Sequence, residues 1–481
     1  MNPTLIGFIL YLVLMVGVGL WTYTRTKTHE DFLLGGRRLN PWVIAFSERA
    51  SGESAWLLLG LPGAALAVGL GETWTVIGCV AGIIISWIFI AQGLRADSEK
   101  YNVLTLPEYF AQKFGKENEI ALRVIPTLII LFFYTFYIAA QFSGAGKALN
   151  VTFGIPVEMG MVIGAVIIVT YTLMGGFAAV AFTDVVQAVL MLGTVVILPI
   201  IGFVTLQEAH GSITEALCAT NATLCSWTSG VSGWAAVAVV IGGLSWGFGY
   251  MGQPHLIIRY LAMRTPEDAK FARPIAFAWA IPAFTGAFLI GFVGVGLYGT
   301  EQFAADPEQI MPYMATHLLP AWLAGIFISG AIAAMMSTAD SQILVMTSAI
   351  TEDIYNRLLG KTPTQSQLVL ISRIATLLIG VFAFILAYFS QELVFQLVSY
   401  AWSGLGASFG PIILFSLFWK KLTREGVLAG MLVGSISTVL WRNIADLQAM
   451  VTERFASFVL AVIAIWVVSL LTQKNSNKSK A

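Results

Sequence analysis

The stretch Ser47-Glu48-Arg49-Ala50-Ser51-Gly52-Glu53-Ser54-Ala55-Trp56 sits inside a run that is otherwise apolar enough to cross a membrane, and it continues as Leu57-Leu58-Leu59-Gly60-Leu61-Pro62. A charge at bilayer depth costs about 3 kcal/mol or more, so such residues are usually paired and face a bundle interior or a watery cavity. Three charges and three serines in one span therefore mark a functional site.

The rest of the chain has the same apolar character. Of its 481 residues, 57% are hydrophobic and only 11% charged, against about 25% charged in a soluble protein. Apolar runs of roughly 20 residues and no alternating lumen-and-lipid pattern predict an all-α integral membrane protein, not a barrel. The 26 basic and 26 acidic residues balance, and no basic stripe suggests nucleic acid. The first run, Leu5 to Trp21, lacks a basic lead-in and a small-residue cleavage site, and is expected to be a retained span.

Polar punctuation divides the chain into about 13 transmembrane helices, near residues 4–23, 41–66, 72–94, 121–149, 156–178, 185–207, 232–252, 274–298, 320–346, 369–389, 392–418, 425–443 and 453–472. Six alternate connections, 24–40, 95–123, 253–273, 351–373, 419–424 and 473–481, hold 22 of the 26 Lys and Arg. The positive-inside rule places them in the cytoplasm, giving a multi-pass protein of the inner (plasma) membrane with its N-terminus outside and its C-terminus inside. Of the remaining four, Lys147, Arg442 and Arg454 lie near span ends and are expected to snorkel to the interface. Arg49 has no such escape. Segment 101–115 is expected to form a short amphipathic helix with Pro107 in its first turn.

Secondary transporters often hold their solute where matching spans of two inverted repeats are interrupted by Gly or Pro. The second span carries Ala50-Ser51-Gly52-Glu53-Ser54, and the seventh carries Gly242-Gly243-Leu244-Ser245-Trp246-Gly247-Phe248-Gly249-Tyr250-Met251-Gly252-Gln253-Pro254. They stand five spans apart, which predicts a 5+5 inverted repeat: residues 41–207 and 232–418, flanked by peripheral segments 1–40 and 419–481, in a single transmembrane domain. Close helix packing is the alternative reading of such glycines, with Trp246 and Tyr250 among them favouring a site in the seventh span.

The ninth span carries Ser337-Thr338-Ala339-Asp340-Ser341. Its hydroxyls and carbonyls are hard ligands suited to an alkali cation, unless they simply bond back along their own helix. Asp184 is either a helix N-terminal acid or part of a cation path. Cys79 falls in a span, while Cys218 and Cys225 flank a polar loop, as a disulfide or as two thiols. The four histidines, His29, His210, His255 and His317, fall in loops or at span ends, and no nucleophile-base pair or metal cluster suggests an enzyme. No channel filter motif is present, and a sensor on this scaffold would be expected to carry an output domain after Gln473.

These residues resemble the sodium:solute symporter family, most closely its sodium/proline symporters. The likeness runs through Leu34-Gly35-Gly36-Arg37, Trp56-Leu57-Leu58-Leu59-Gly60-Leu61-Pro62-Gly63, Leu106-Pro107-Glu108-Tyr109-Phe110, Gly175-Gly176-Phe177, Gly252-Gln253-Pro254-His255 and Ser399-Tyr400-Ala401-Trp402-Ser403-Gly404. The resemblance implies a LeuT-type fold and uptake of a small amino acid, proline or a proline-like solute, driven by sodium and with no organic cofactor. It implies sodium ligands at the carbonyls of Ala50, Glu53 and Ala334 and the hydroxyls of Ser337 and Thr338. It also implies solute contacts at Ser54, Trp56, Tyr137, Trp246 and Tyr250, and a functional Arg37. The partners expected are the solute and membrane lipid.

The family usually reads Ala-Ser-Asp-Met-Ser-Gly-Trp at the second-span break. Here Gly52 replaces the aspartate, Glu53 the methionine and Ala55 the glycine, while Glu48 and Arg49 replace small residues. Three readings follow. Glu53 takes over from the missing acid and sodium coupling persists; or Arg49 stands in for the ion, with Glu53, Asp340 or Asp184 as partner, giving sodium-independent or proton-coupled transport; or Arg49 and Glu53 form a structural i,i+4 pair.

Overall fold

The described residues of the thirteen predicted intervals are largely helical in the computed structural model, which describes residues 3–23, 34–115, 119–174, 177–210, 221–358, 360, 364–390 and 392–478. The described residues hold no β-strand beyond an isolated bridge between Leu39 and Met263. By length and composition, eight described helices can cross a membrane, or nine with the bent pair Gly233–Gly249 and Pro254–Leu261. Pro3–Met15 and Val157–Leu173 are shorter apolar stretches.

Burial separates core from periphery. In the most apolar window of Ala321–Asn356, 78% of residues are buried, against 28% in Gln367–Phe389. The ninth span is thus wrapped by other helices, whereas the tenth presents Leu370, Leu378, Phe382 and Phe389 outward, the surface a lipid environment favours.

The second span begins where the Asn40 side chain accepts the Val43 N–H at 2.9 Å, with Pro41 at the first helical position. Helix Pro41–Gly52 then yields at Glu53 (φ −110°) and resumes through a π-helical turn, Trp56–Gly60. This interruption is smaller than the sequence suggests, because Leu57 N–H still reaches the Glu53 carbonyl at 3.3 Å. The seventh span bends by 41° between Gly249 and Pro254, where Pro254 lacks the N–H to continue the ladder.

The glycines of the seventh span also pack. Gly243 and Gly247 lie against Gly78 and Gly82, so close that a Cβ on Gly78 would stand 2.6 Å from the Gly243 carbonyl. This i,i+4 glycine pair on each helix lets two backbones touch. Packing and bending therefore share one segment.

Helix Leu106–Phe114 matches the short helix expected there, capped by Thr105 (Glu108 N–H to Thr105 Oγ1, 3.1 Å). Cys79 is a buried free thiol and Cys225 is disulfide-bonded; Cys218 lies outside the described residues, as do His29 and the Gly175-Gly176 pair.

Candidate functional site

Two charged clusters meet on the stretch Ser47–Glu53, both wholly buried. In the first, Arg49 Nε donates to Glu48 Oε2 at 2.6 Å, Arg49 Nη2 contacts Glu48 Oε1, and Arg49 Nη1 donates to Glu53 Oε1 at 2.6 Å. Trp87 Nε1 (3.0 Å) and the Tyr260 hydroxyl (3.2 Å) complete the Glu48 carboxylate. The Tyr250 hydroxyl donates to Glu53 Oε2 at 2.9 Å, and the Arg49 guanidinium lies 5.5 Å from the Tyr250 ring centroid. The expected i,i+4 pair is present, but as one limb of a carboxylate–guanidinium–carboxylate trio.

The second cluster centres on Arg259, which the charge count above assigns to a cytoplasmic loop. That assignment is corrected: Arg259 is 1% exposed. Its Nη2 donates to Asp184 Oδ2 (2.9 Å), Ser51 Oγ (2.6 Å) and Ser341 Oγ (2.6 Å), its Nε to Ser47 Oγ (3.1 Å) and its Nη1 to the His255 carbonyl (2.6 Å). Ser47 Oγ donates to Asp184 Oδ2 at 2.6 Å. The sequence signal was the spacing of His255 and Arg259, one helical turn apart amid Leu256, Ile257, Ile258 and Leu261.

Three other expectations are corrected. His255 is not a loop residue: it is buried, with Nδ1 2.8 Å from the Tyr134 hydroxyl and Nε2 3.1 Å from the Ser51 carbonyl. Asp184 is not in a first turn, because its helix begins at Phe177 and places it within the bundle. Arg454 does not snorkel. It lies 10% exposed, 4.7 Å from the Trp246 ring centroid, touching Ser399 Oγ and donating to the Gly242 carbonyl at 3.3 Å.

The expected sodium ligands are partly gathered. Ser337 Oγ donates to the carbonyls of Ala50 and Ala334, each at 3.0 Å, so these three oxygens share one locus between the second and ninth spans. The bond to Ala334 runs back along its own helix and the bond to Ala50 runs across. Thr338 Oγ1 donates to the Ser51 carbonyl at 2.9 Å, and the Glu53 carbonyl faces the Leu57 N–H. All are hard oxygen donors. Asp340 lies beside them with Oδ2 unpartnered, and Ser341 Oγ is 3.4 Å from its Oδ1. Among the described residues, no His, Cys, Asp and Glu cluster could hold a transition metal.

The aromatic candidates converge beside this locus. Trp56 stacks on Trp246 with ring centroids 4.6 Å apart at 15°. Trp402, missed in the sequence as a site residue, meets the Tyr250 ring edge-on at 4.7 Å and the Tyr137 ring at 6.4 Å, and donates Nε1 to the Trp246 carbonyl at 2.9 Å. Ser54 Oγ accepts the Trp56 N–H at 3.3 Å, and Gln141 Oε1 accepts the Ala55 N–H at 2.9 Å. Arg37 lies apart. It has φ +52°, donates to the Val103 carbonyl at 2.9 Å, and ties its turn to the end of helix Ala91–Tyr101.

A helical bundle with bent spans and a buried oxygen locus beside an aromatic cluster is the architecture of a LeuT-type membrane transporter. The fold aligns with that of a sodium-coupled sialic acid symporter at a TM-score of 0.79, with 20% identity and 98% of each chain covered. It also aligns with MhsT in complex with L-phenylalanine at 0.54, with 17% identity, covering 89% of this chain and 97% of the other. The sequence pattern of the sodium:solute symporter family matches residues 32–434, and the chain belongs to that family. It is 37% identical over 464 residues to the high-affinity proline transporter PutP of Bacillus subtilis, covering 96% of this chain and 97% of the relative. It is 37% identical over 476 residues to the sodium/proline symporter of Escherichia coli, covering 98% and 93%.

Proposed function

We propose that this protein couples the inward movement of sodium to uptake of proline or a closely similar amino acid across the plasma (inner) membrane, with its N-terminus outside and its C-terminus in the cytoplasm. The observation that carries the coupling is the oxygen locus of Ala50, Ala334 and Ser337, in which a hydroxyl already bridges carbonyls of two different spans. Sodium, as a cotransported substrate, takes Ala50, Glu53, Ala334, Ser337 and Thr338 as its ligands and draws the second and ninth spans together. Ser51 transmits that change. Its carbonyl holds Thr338 and His255, while its hydroxyl sits in the Arg259–Asp184 cluster.

Ser54, Trp56, Tyr137, Trp246 and Tyr250 surround the solute, whose compact ring suits aromatic walls. Residues 41–207 and 232–418 are the two repeats whose relative movement alternates access. Sodium-driven transport is favoured over an Arg49 surrogate because the Ser337 and Thr338 hydroxyls meet second-span carbonyls, while the Arg49 guanidinium is shared between Glu48 and Glu53. Arg37, Asp184 and Asp340 serve the inner gate, where Arg259 and Asp184 join four elements.

Proteoliposome uptake of proline at fixed membrane potential tests the reading. Concentrative, saturable uptake that requires an inward sodium gradient is expected; uptake indifferent to sodium and driven by a pH gradient would overturn it.

A further inference from the structure

The two carboxylates of the Arg49 trio are not equally satisfied. Glu48 receives two guanidinium N–H groups, the Trp87 indole and the Tyr260 hydroxyl. Glu53 receives one guanidinium N–H and the Tyr250 hydroxyl, although an ionised carboxylate offers about four acceptor sites. Two carboxylates also share one guanidinium, leaving an excess negative charge wherever both are ionised. In full burial that excess is costly unless another cation answers it.

The same aromatic cluster carries the opposite deficit. The indole N–H groups of Trp56 and Trp246 are buried without an acceptor, and a buried donor left unmade costs about 1–3 kcal/mol. Tyr250 links the two deficits, since its hydroxyl holds Glu53 while its ring packs on Trp402, whose indole in turn holds the Trp246 carbonyl. An under-satisfied carboxylate and two unmet donors around one aromatic cluster complement a zwitterion, whose ammonium and carboxylate supply what each lacks.

We propose that Glu53 is a specificity-determining residue of this chain, its carboxylate pairing with the ammonium of the amino-acid solute while the Trp56 and Trp246 indoles receive the solute carboxylate. This rests on the functional reading above and assigns the Glu53 side chain a role distinct from its backbone carbonyl. Arg49, engaged by Glu48, is a positioning residue that orients Glu53. It does not bind the solute carboxylate.

Binding to the purified full-length protein in saturating sodium tests this, with three probes: proline, tetrahydrofuran-2-carboxylate, which keeps ring and carboxylate but has no ammonium, and pyrrolidine, which keeps only the cationic ring. The native protein is expected to prefer proline to tetrahydrofuran-2-carboxylate by about tenfold or more, and to bind pyrrolidine more tightly than tetrahydrofuran-2-carboxylate. Glu53→Gln is expected to lose about tenfold or more for proline and to erase the preference, with the sodium midpoint unchanged. An unchanged ratio of proline to tetrahydrofuran-2-carboxylate in Glu53→Gln overturns the proposal, as does a shift in the sodium midpoint alone. If that variant does not fold, the order of the two analogues on the native protein decides: pyrrolidine weaker than tetrahydrofuran-2-carboxylate overturns it. Failure of the native protein to bind proline overturns the functional reading itself, and the inference with it.

Discussion

Arg49 and Arg259 are both buried to within 1%, yet they are held in opposite ways. The carboxylates on Arg49 are one and four residues away, on its own helix and at its end. The side-chain partners of Arg259 are 75 to 212 residues away and come from three other helices. Both clusters use one stretch: Ser47 and Ser51 face Arg259, while Arg49 and Glu53 are displaced by two residues, about 200° around the helix. The Arg49 guanidinium is held within one span, although Trp87, Tyr250 and Tyr260 reach its carboxylates from elsewhere; the Arg259 guanidinium binds four elements and must loosen if they move apart.

Breaking the distributed cluster is expected to have the largest effect. Arg259→Ala leaves Asp184 buried without its counter-charge, a loss of about 5 kcal/mol, and uptake should fall to background in proteoliposomes. Adding Asp184→Asn should restore thermal stability without restoring uptake. Retained uptake in Arg259→Ala would mean that the four elements do not depend on it.

Arg49→Ala is expected to cost about 3 kcal/mol, with Glu48 still held by Trp87 and Tyr260 and Glu53 by Tyr250. Its melting temperature should drop while the residual uptake still requires sodium; sodium-independent uptake in the parent protein, becoming dependent in the variant, would revive the ion-surrogate reading. Ser337→Ala removes a hydroxyl from the oxygen locus and should raise the sodium concentration for half-maximal uptake about tenfold, equivalent to about 1.4 kcal/mol, with proline affinity at saturating sodium preserved. The smallest effect belongs to Arg442→Ala. Its pair with Glu392 is partly exposed at 2.9 Å, so stability should change by less than about 1 kcal/mol and uptake should match the parent.

The same contrast explains what the sequence disclosed. Arg49 was legible because a charge between apolar residues is conspicuous and its partners lie within one turn. Arg259 was not, because it follows a Gly/Pro-rich bend and shares its segment with Arg264, Lys270 and Arg273, so a count of basic residues absorbed it. Trp402 and Arg454 were missed for the related reason that their partners, Tyr250 and Trp246, come from a distant span. The seventh-span bend was visible in its glycines and Pro254, and the second-span interruption in the polar run around Gly52, where helix Pro41–Gly52 ends at Glu53 before a π-helical turn follows.

The contact between Arg454 and Trp246 gives the last helix, Glu453–Lys478, a purpose beyond filling the periphery. Its first turn holds a guanidinium 4.7 Å from the centroid of that buried indole ring, so any displacement of the ring is felt directly by this helix. If the proposed solute site lies at that ring, helix Glu453–Lys478 becomes a strain gauge on it, and a reporter attached to the helix would register solute binding.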